Sequence, residues 1–404
     1  LSVPGAFHVS TADYLLLEDG GRFDATNLGA TVLTMANPVT FGFLSATPMP
    51  ISVGASTLDL EPDADISFVG GDITLTDTTI NAPGGRVNLA SAASACELGL
   101  EAGGIGVNGV TNFGDINLTT ANVETTSDSG GDIFIRGGQF YMDSQTYINA
   151  NTTGVDPANS GGDIVVDVDD AFILNGSQFS TTTFGAGDGG NLLITANGDV
   201  HIEGNLNGSP AGAFANVRAD ATGQGGSIEI TANNLNVVEG GLLGAVTFGA
   251  GDAGSILLDI TDTVLIRNSF GYDGAIFLNS LFTATGGVGD IEVNATNLVL
   301  EANGRIQANT SSTGASGSIL VNVDSLDMTG GSQLAATTFG DGPGGSVIID
   351  ATDVSLFGFN VSLDGYVIPT GLFASNNWPG TGPGGEVIVN TNTLSIVDGA
   401  QISA

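Results

Sequence analysis

Lysine is absent from this 404-residue chain, and arginine occurs only six times against 43 carboxylates, for a net charge of -37. Phosphate binding needs clustered cations, so the shortage argues against a nucleic-acid partner. It argues equally against an anionic membrane surface. One cysteine, Cys96, excludes an internal disulfide and reads as a small buried residue in Ser94-Ala95-Cys96. No apolar run reaches the length of a membrane span. Glycine is plentiful, at 63 residues, but without the G-X-Y period that collagen needs. No leader is read at Leu1, and the reading expects a segment of a longer, processed protein.

What remains is rich in Val, Ile, Leu and Ala interleaved with Thr, Asn, Ser and Asp. Val, Ile and Thr suit pleated, half-buried surfaces. The pattern repeats. Gly226-Ser227-Ile228-Glu229-Ile230-Thr231 leads to Leu235-Asn236-Val237; Gly317-Ser318-Ile319-Leu320-Val321-Asn322 leads to Leu326-Asp327-Met328; Gly345-Ser346-Val347-Ile348-Ile349-Asp350 leads to Val354-Ser355-Leu356. A third apolar run and a Gly-rich connection close each unit. The anchor glycine is read at Gly71, Gly114, Gly131, Gly162, Gly190, Gly226, Gly254, Gly289, Gly317, Gly345 and Gly385, with a spacing of 28 at Gly162 to Gly190 and at Gly317 to Gly345. Longer steps carry insertions, and a lateral one is expected near 358–380, around Tyr366 and Trp378.

Alternation of period two puts Ile228 and Ile230 on one face and Glu229 on the other. One unit cannot bury its apolar face, whereas stacked units can. The expected fold is all-β: a right-handed parallel β-helix with about 28 residues per three-strand coil, roughly 55–70 Å long for about a dozen coils.

Several residues invite a chemical reading. Thr183-Phe184-Gly185, Thr247-Phe248-Gly249 and Thr338-Phe339-Gly340 share a phase. Phe184, Phe248 and Phe339 are therefore expected to form an aromatic stack, and the adjacent threonines hydroxyl ladders between coils. Asp167 and Asp169 are expected on one outward strand face. With Asp188 and Asp252, in Gly187-Asp188 and Gly251-Asp252, they are the weak candidates for bound Ca²⁺. The nonapeptide calcium repeat itself is not matched, and Asp188 and Asp252 read better as turn residues. No cofactor is otherwise expected. Polysaccharide enzymes on this fold need carboxylates with Arg, Lys or His on one face. Here Arg22, Arg86, Arg136, Arg218, Arg267 and Arg305, with His8 and His201, are scattered singly, so no catalytic residue is assigned. The threonine pattern is too irregular for an ice- or crystal-binding array. Seven Asn-X-Ser/Thr triplets are what an Asn- and Thr-rich chain gives by chance.

The unit Gly189-Gly190-Asn191-Leu192-Leu193-Ile194-Thr195-Ala196, preceded by Thr183-Phe184-Gly185-Ala186-Gly187-Asp188, resembles the repeats of filamentous-haemagglutinin-like exoproteins, the secreted passengers of two-partner secretion. Phe7-His8-Val9-Ser10-Thr11-Ala12-Asp13-Tyr14-Leu15, Asp19-Gly20-Gly21-Arg22-Phe23, Phe68-Val69-Gly70-Gly71-Asp72-Ile73 and Ala82-Pro83-Gly84-Gly85-Arg86-Val87 resemble the later part of that family's secretion domain. The resemblance implies first coils with extra hairpins over residues 1–95 and a β-helical stalk over 96–404. It implies export by an outer-membrane transporter, whose recognition motifs lie upstream in the family and are assigned to no residue here. The functional expectation is a secreted, non-enzymatic rod, a cell-surface adhesin or fibre subunit. The final Gln401-Ile402-Ser403-Ala404 carries no polar cap, so end-to-end or lateral self-association is expected too. The alternatives are a polysaccharide-acting enzyme and a Ca²⁺-dependent matrix protein.

Overall fold

The computed structural model describes all residues except 1–4, 102–103, 108–109, 269–274, 282, 363 and 378. The described chain is all-β, with one short 3-10 turn at Leu28–Ala30 and no α-helix. No helix among the described residues is long and apolar enough to cross a membrane.

The strands stack in three parallel ladders. Ile164–Val168, Leu192–Ala196 and Ile228–Ala232 belong to the first; Asp170–Leu174, Asp199–Glu203 and Asn234–Val238 to the second; Gln178–Ser180, Gly212–Phe214 and Leu242–Thr247 to the third. The third ladder holds 12 strands, and the first two are fused into a 21-stranded sheet by the long strands Ile291–Glu301, Ile319–Thr329 and Val347–Phe357. The chain visits the ladders in turn, so it forms a parallel β-solenoid. Stacked residues are 28 apart at Asp290 and Ser318, but 31 at Asp132 and Asp163, 36 at Asn191 and Ser227, and 40 at Ser346 and Glu386.

Like residues pile up inside. Ile164, Leu192, Ile228, Ile256, Ile291, Ile319 and Val347 follow one another in register along the first ladder, and all are buried. Val200, Leu235, Val264, Leu298 and Leu326 do so in the second. Glu229, between buried Ile228 and Ile230, is exposed, as the alternation requires. Each fully buried aliphatic contributes about 1.5–3 kcal/mol, and no single layer closes the core alone.

The anchor glycines have a steric cause. A Cβ on Gly226 would lie 1.7 Å from the carbonyl oxygen of Gly190; on Gly190, 1.9 Å from that of Gly162; on Gly345, 1.8 Å from that of Gly317. A second column runs three residues earlier. A Cβ on Gly251 would lie 1.8 Å from the Gly223 oxygen, and on Gly342, 1.9 Å from that of Gly314. The corner from third to first ladder is thus packed backbone on backbone. Two expected anchors do not belong to it. Gly71 and Gly114 precede Ile73–Thr76 and Ile116–Thr119, which are second-ladder strands, and Gly85 takes the anchor place against Ala64. Both corners use Gly-Asp-Ile locally, which is why the motif alone merges them.

Two excursions build a side sheet near the beginning of the solenoid. Tyr14–Leu17, Arg22–Asp24, Pro38–Phe43, Cys96–Glu101 and Gly104–Gly106 form an antiparallel sheet of five strands, in which Cys96–Glu101 pairs with Pro38–Phe43. Its Phe41, Phe43, Leu98 and Ile105 pack on outward Val69 and Ala90 of the first ladder. Ile66–Gly70 and Val87–Ser91 are consequently buried at every position. Tyr14 lies across Gly42, whose Cβ would fall 2.0 Å from the ring, and stacks under Arg22 at 3.7 Å. The Tyr14 hydroxyl donates to Glu97 at 2.5 Å and so ties the two excursions together. Burial and the Glu97 carboxylate push this phenol up to about 12. Cys96 sits half-buried beside it, its thiol pushed up by burial.

The lateral insertion is shorter than 358–380. Phe359–Val361 and Val367–Pro369 form a hairpin, Gly371–Phe373 rejoins the third ladder, and Asn376 bridges to Thr338 as part of the ordinary Gly-rich corner. Trp378 lies outside the described residues. A smaller hairpin, Asn205–Leu206 with Ser209–Pro210, leaves the corresponding corner of an earlier coil.

Two predictions follow from these contacts. Gly226→Ala should destabilise by about 3 kcal/mol or more, because backbone must move, whereas Gly208→Ala, with open space but a φ of +87°, should cost about 1–2 kcal/mol. Equal losses in chemical denaturation would refute the backbone-contact explanation. The second concerns pH. A phenol whose folded pKa is raised stabilises fully below its unfolded value, and that stability is lost as pH climbs from the ordinary 10.0 toward about 12. Tyr14→Phe should remove this part of the alkaline stability loss, read from unfolding midpoints across that range.

Candidate functional site

The four aspartates do not converge. Asp167 is an outward residue of the first ladder, 3.5 Å from Arg136. Burial lowers the Arg136 guanidinium from its usual range, and the Asp167 charge opposes that. The strand ends at Val168, so alternation stops there and Asp169 sits at the bend, accepting from the Asn197 amide at 3.0 Å. The expected shared face is therefore broken by the corner. Asp188 and Asp252 are turn residues in a column. The Gln224 main-chain N–H donates to Asp188 Oδ1 at 2.7 Å, the Asp252 N–H to Gln224 Oε1 at 3.0 Å, and the Gly287 N–H to Asp252 Oδ1 at 2.6 Å. One oxygen of each is already engaged by the next coil's backbone. Among the described residues no group of three or more His, Cys, Asp or Glu side chains could hold a metal ion.

A longer column of the same kind starts at the residue after each anchor glycine. Asp132, Asp163, Asn191, Ser227, Ser255, Asp290, Ser318 and Ser346 each accept, through a side-chain oxygen, the N–H of the next member, ending at Glu386. This explains why the residue after the glycine is small or acidic: a short acceptor must reach one coil along.

Phe184, Phe248 and Phe339 do not stack. Successive backbone bonds place Thr153, Phe184, Arg218, Phe248, Leu281, Ser311 and Phe339 in one corner column, from Thr183, Val217, Thr247 and Thr310 carrying Arg218, Phe248, Leu281 and Phe339. Arg218 intervenes between the first two rings, its guanidinium 5.5 Å from the Phe184 centroid, and further coils separate Phe339. The Thr-Phe-Gly phrase recurs, but not in adjacent coils. Nor do the threonines ladder. The buried hydroxyls of Thr183, Thr247, Thr310 and Thr338 donate within their own coil to the carbonyls of Gly187, Gly251, Gly314 and Gly342, at 2.5–2.9 Å. They close the Gly-rich turn.

The aromatic stack lies elsewhere. On the outward side of the second ladder Tyr141, Phe172 and His201 are in register, with Tyr141 and Phe172 parallel at 4.6 Å and Phe172 to His201 at 6.3 Å. His201 Nε2 is 2.6 Å from Glu203 of the same strand. The signal in the sequence was their shared central place in three consecutive second runs. Arg267 is paired with Glu239 at 3.1 Å, and Arg86 lies over the Phe134 ring.

Comparison with family models, with curated proteins and with solved structures returned no match.

Asp188→Asn keeps the accepting oxygen and should stay within about 0.5 kcal/mol of the parent, whereas Asp188→Ala should lose about 1 kcal/mol. Thermal unfolding in calcium and in chelator should show the same order for both variants. A calcium effect that vanishes only in the Asp188 variants would reassign the carboxylate to a metal.

Proposed function

We propose that the chain is a secreted structural and adhesive rod of a bacterial cell surface or extracellular fibre, a right-handed parallel β-helix whose parent coil is 28 residues. It acts through attachment or self-assembly and performs no catalytic step. Right-handedness is the hand that crossovers between parallel strands take almost without exception. The observation that carries the reading is the use made of the polar groups. The candidate aspartates and the residues after the anchor glycines hold coil to coil, and the recurrent threonines close the turns between them. Chemistry that would serve a pocket in an enzyme serves length here.

The resemblance of residues 1–95 to a secretion domain is supported by the excursion within them, whose strands Tyr14–Leu17, Arg22–Asp24 and Pro38–Phe43 lie in the side sheet. On that basis the export partner is an outer-membrane two-partner-secretion transporter. Growth of the solenoid by local coil-on-coil contacts suits folding as the chain emerges. A coat of carboxylates keeps rods apart at low salt, and Ca²⁺ held weakly between such coats joins them.

Electron microscopy of the native material, with and without chelator, tests this. Rods or filaments with an axial repeat near ~60 Å, together with antibody labelling of intact cells, are the expected result. Filaments that fall apart on chelation would assign joining to calcium. Label that appears only after lysis would overturn the extracellular reading.

A further inference from the structure

The outward side of the third ladder differs from the rest of the surface. Along one row the residues in register are Phe214, Gly244, Phe277, Gln307, Ala335, Phe373 and Ser403. The Phe277 ring reaches back over the preceding coil: a Cβ on Gly244 would meet the ring's outer edge at 2.7 Å. Phe214 and Phe277 are two coils apart, or ~9.6 Å at the spacing of neighbouring strands. Where Ala335 replaces a long side chain between Gln307 and Phe373, the face sinks into a groove of about 370 Å³.

The hairpin and the corner wall this groove. Gln333 Nε2 donates to the Pro369 carbonyl at 3.2 Å and fastens the hairpin's end to one side, as Gln178 does to Pro210 at the earlier hairpin, at 2.9 Å. Phe339 stands on the corner side. Amides of Gln307, Gln333 and Gln401 and the rings of Phe339 and Phe373 line it, and no charged residue does. In a chain with 43 carboxylates this is a chemically distinct place.

We propose that the third face is a binding track for a neutral glycan that lies along the solenoid axis, with the Ala335 groove as its principal subsite. The argument is one of matching chemistry. A hexopyranose presents an apolar face of C–H groups that packs on a flat ring, and an edge of hydroxyls that amides both donate to and accept from. A unit is close in length to one coil step, so a chain laid along the row passes about one sugar per coil and meets the rings in turn. A charged polymer would find no counter-ion in the groove, and a polyanion would meet the net charge of -37 as well. This deepens the attachment reading, on which it rests only for the rod's being outside the cell.

The test is electrophoresis of the purified full chain through gels containing galactomannan, mixed-linkage β-glucan or dextran, with polygalacturonate as the anionic counterpart. Retardation is expected in at least one neutral gel and not in polygalacturonate. Ala335→Gln, which fills the groove, and Phe373→Ala, which removes its ring, should each lower the association constant about tenfold. Glu229→Gln, on the first face, should leave it unchanged. All three side chains point away from the core, so unchanged thermal unfolding checks that folding is intact, and Phe339→Ala replaces either variant that fails this check. No retardation in any neutral gel, retardation by polygalacturonate alone, or binding indifferent to the groove variants would overturn the proposal. Because purified protein is used, such a failure is separate from that of the extracellular reading.

Discussion

Everything in this solenoid hangs on the approach of one coil's backbone to the next at the Gly-rich corner. Two glycine columns, three residues apart, bring each Cα so close to the preceding carbonyl that a Cβ would sit at about 1.7–2.1 Å from the oxygen for most members. Their φ angles are ordinary, so this is a demand of space, not of conformation. Ladders that step by one strand spacing need all three corners to step equally. If a corner carried side chains, the coils there would splay and the aliphatic stacks beneath would lose contact. Glycine content in this chain is therefore the cost of keeping the pitch uniform.

Uniform pitch in turn decides where polar groups go. A corner amide that leaves a strand has lost its ladder partner, and leaving it unpaired in a packed turn costs about 1–3 kcal/mol. The chain supplies an acceptor one coil away, as in the run from Asp132 to Glu386, or inside the same turn, as where the Gly249 N–H donates to Thr247 Oγ1. Many of the 43 carboxylates are thus spread along the axis instead of gathered.

The solenoid class, the inward residues and the role of the Gly-small corner were legible from sequence, because period-two alternation and a repeating glycine report on contacts within one unit. Which residues meet across units was less so. Neighbours on the stack depend on each coil's length, and the step between stacked residues here runs from 21 at Ile66 and Val87 through 28 at Asp290 and Ser318 to 46 at Val87 and Ile133. Phe184 and Phe248 share a motif but have Arg218 between them, while Tyr141, Phe172 and His201 share no motif yet lie in register. Gly71 and Gly114 show the same difficulty within a coil, since two corners with the same local need carry the same three residues. Asp169 failed for a related reason: alternation counts residues, and a corner resets the count.

The same separation bears on function. Inward and corner positions are held by packing and by amide partners, so variation in them is expensive. Outward strand positions between corners answer only to their neighbours one coil away. The first face holds Asp259, Asn294 and Asn322 in an amide chain, the second an aromatic stack, and the third phenylalanines, an alanine notch and glutamines. Three faces with three chemistries on one invariant scaffold amount to three independent surfaces. Along each of them the register of the ladders sets the spacing at which outward positions recur, about one strand separation per coil.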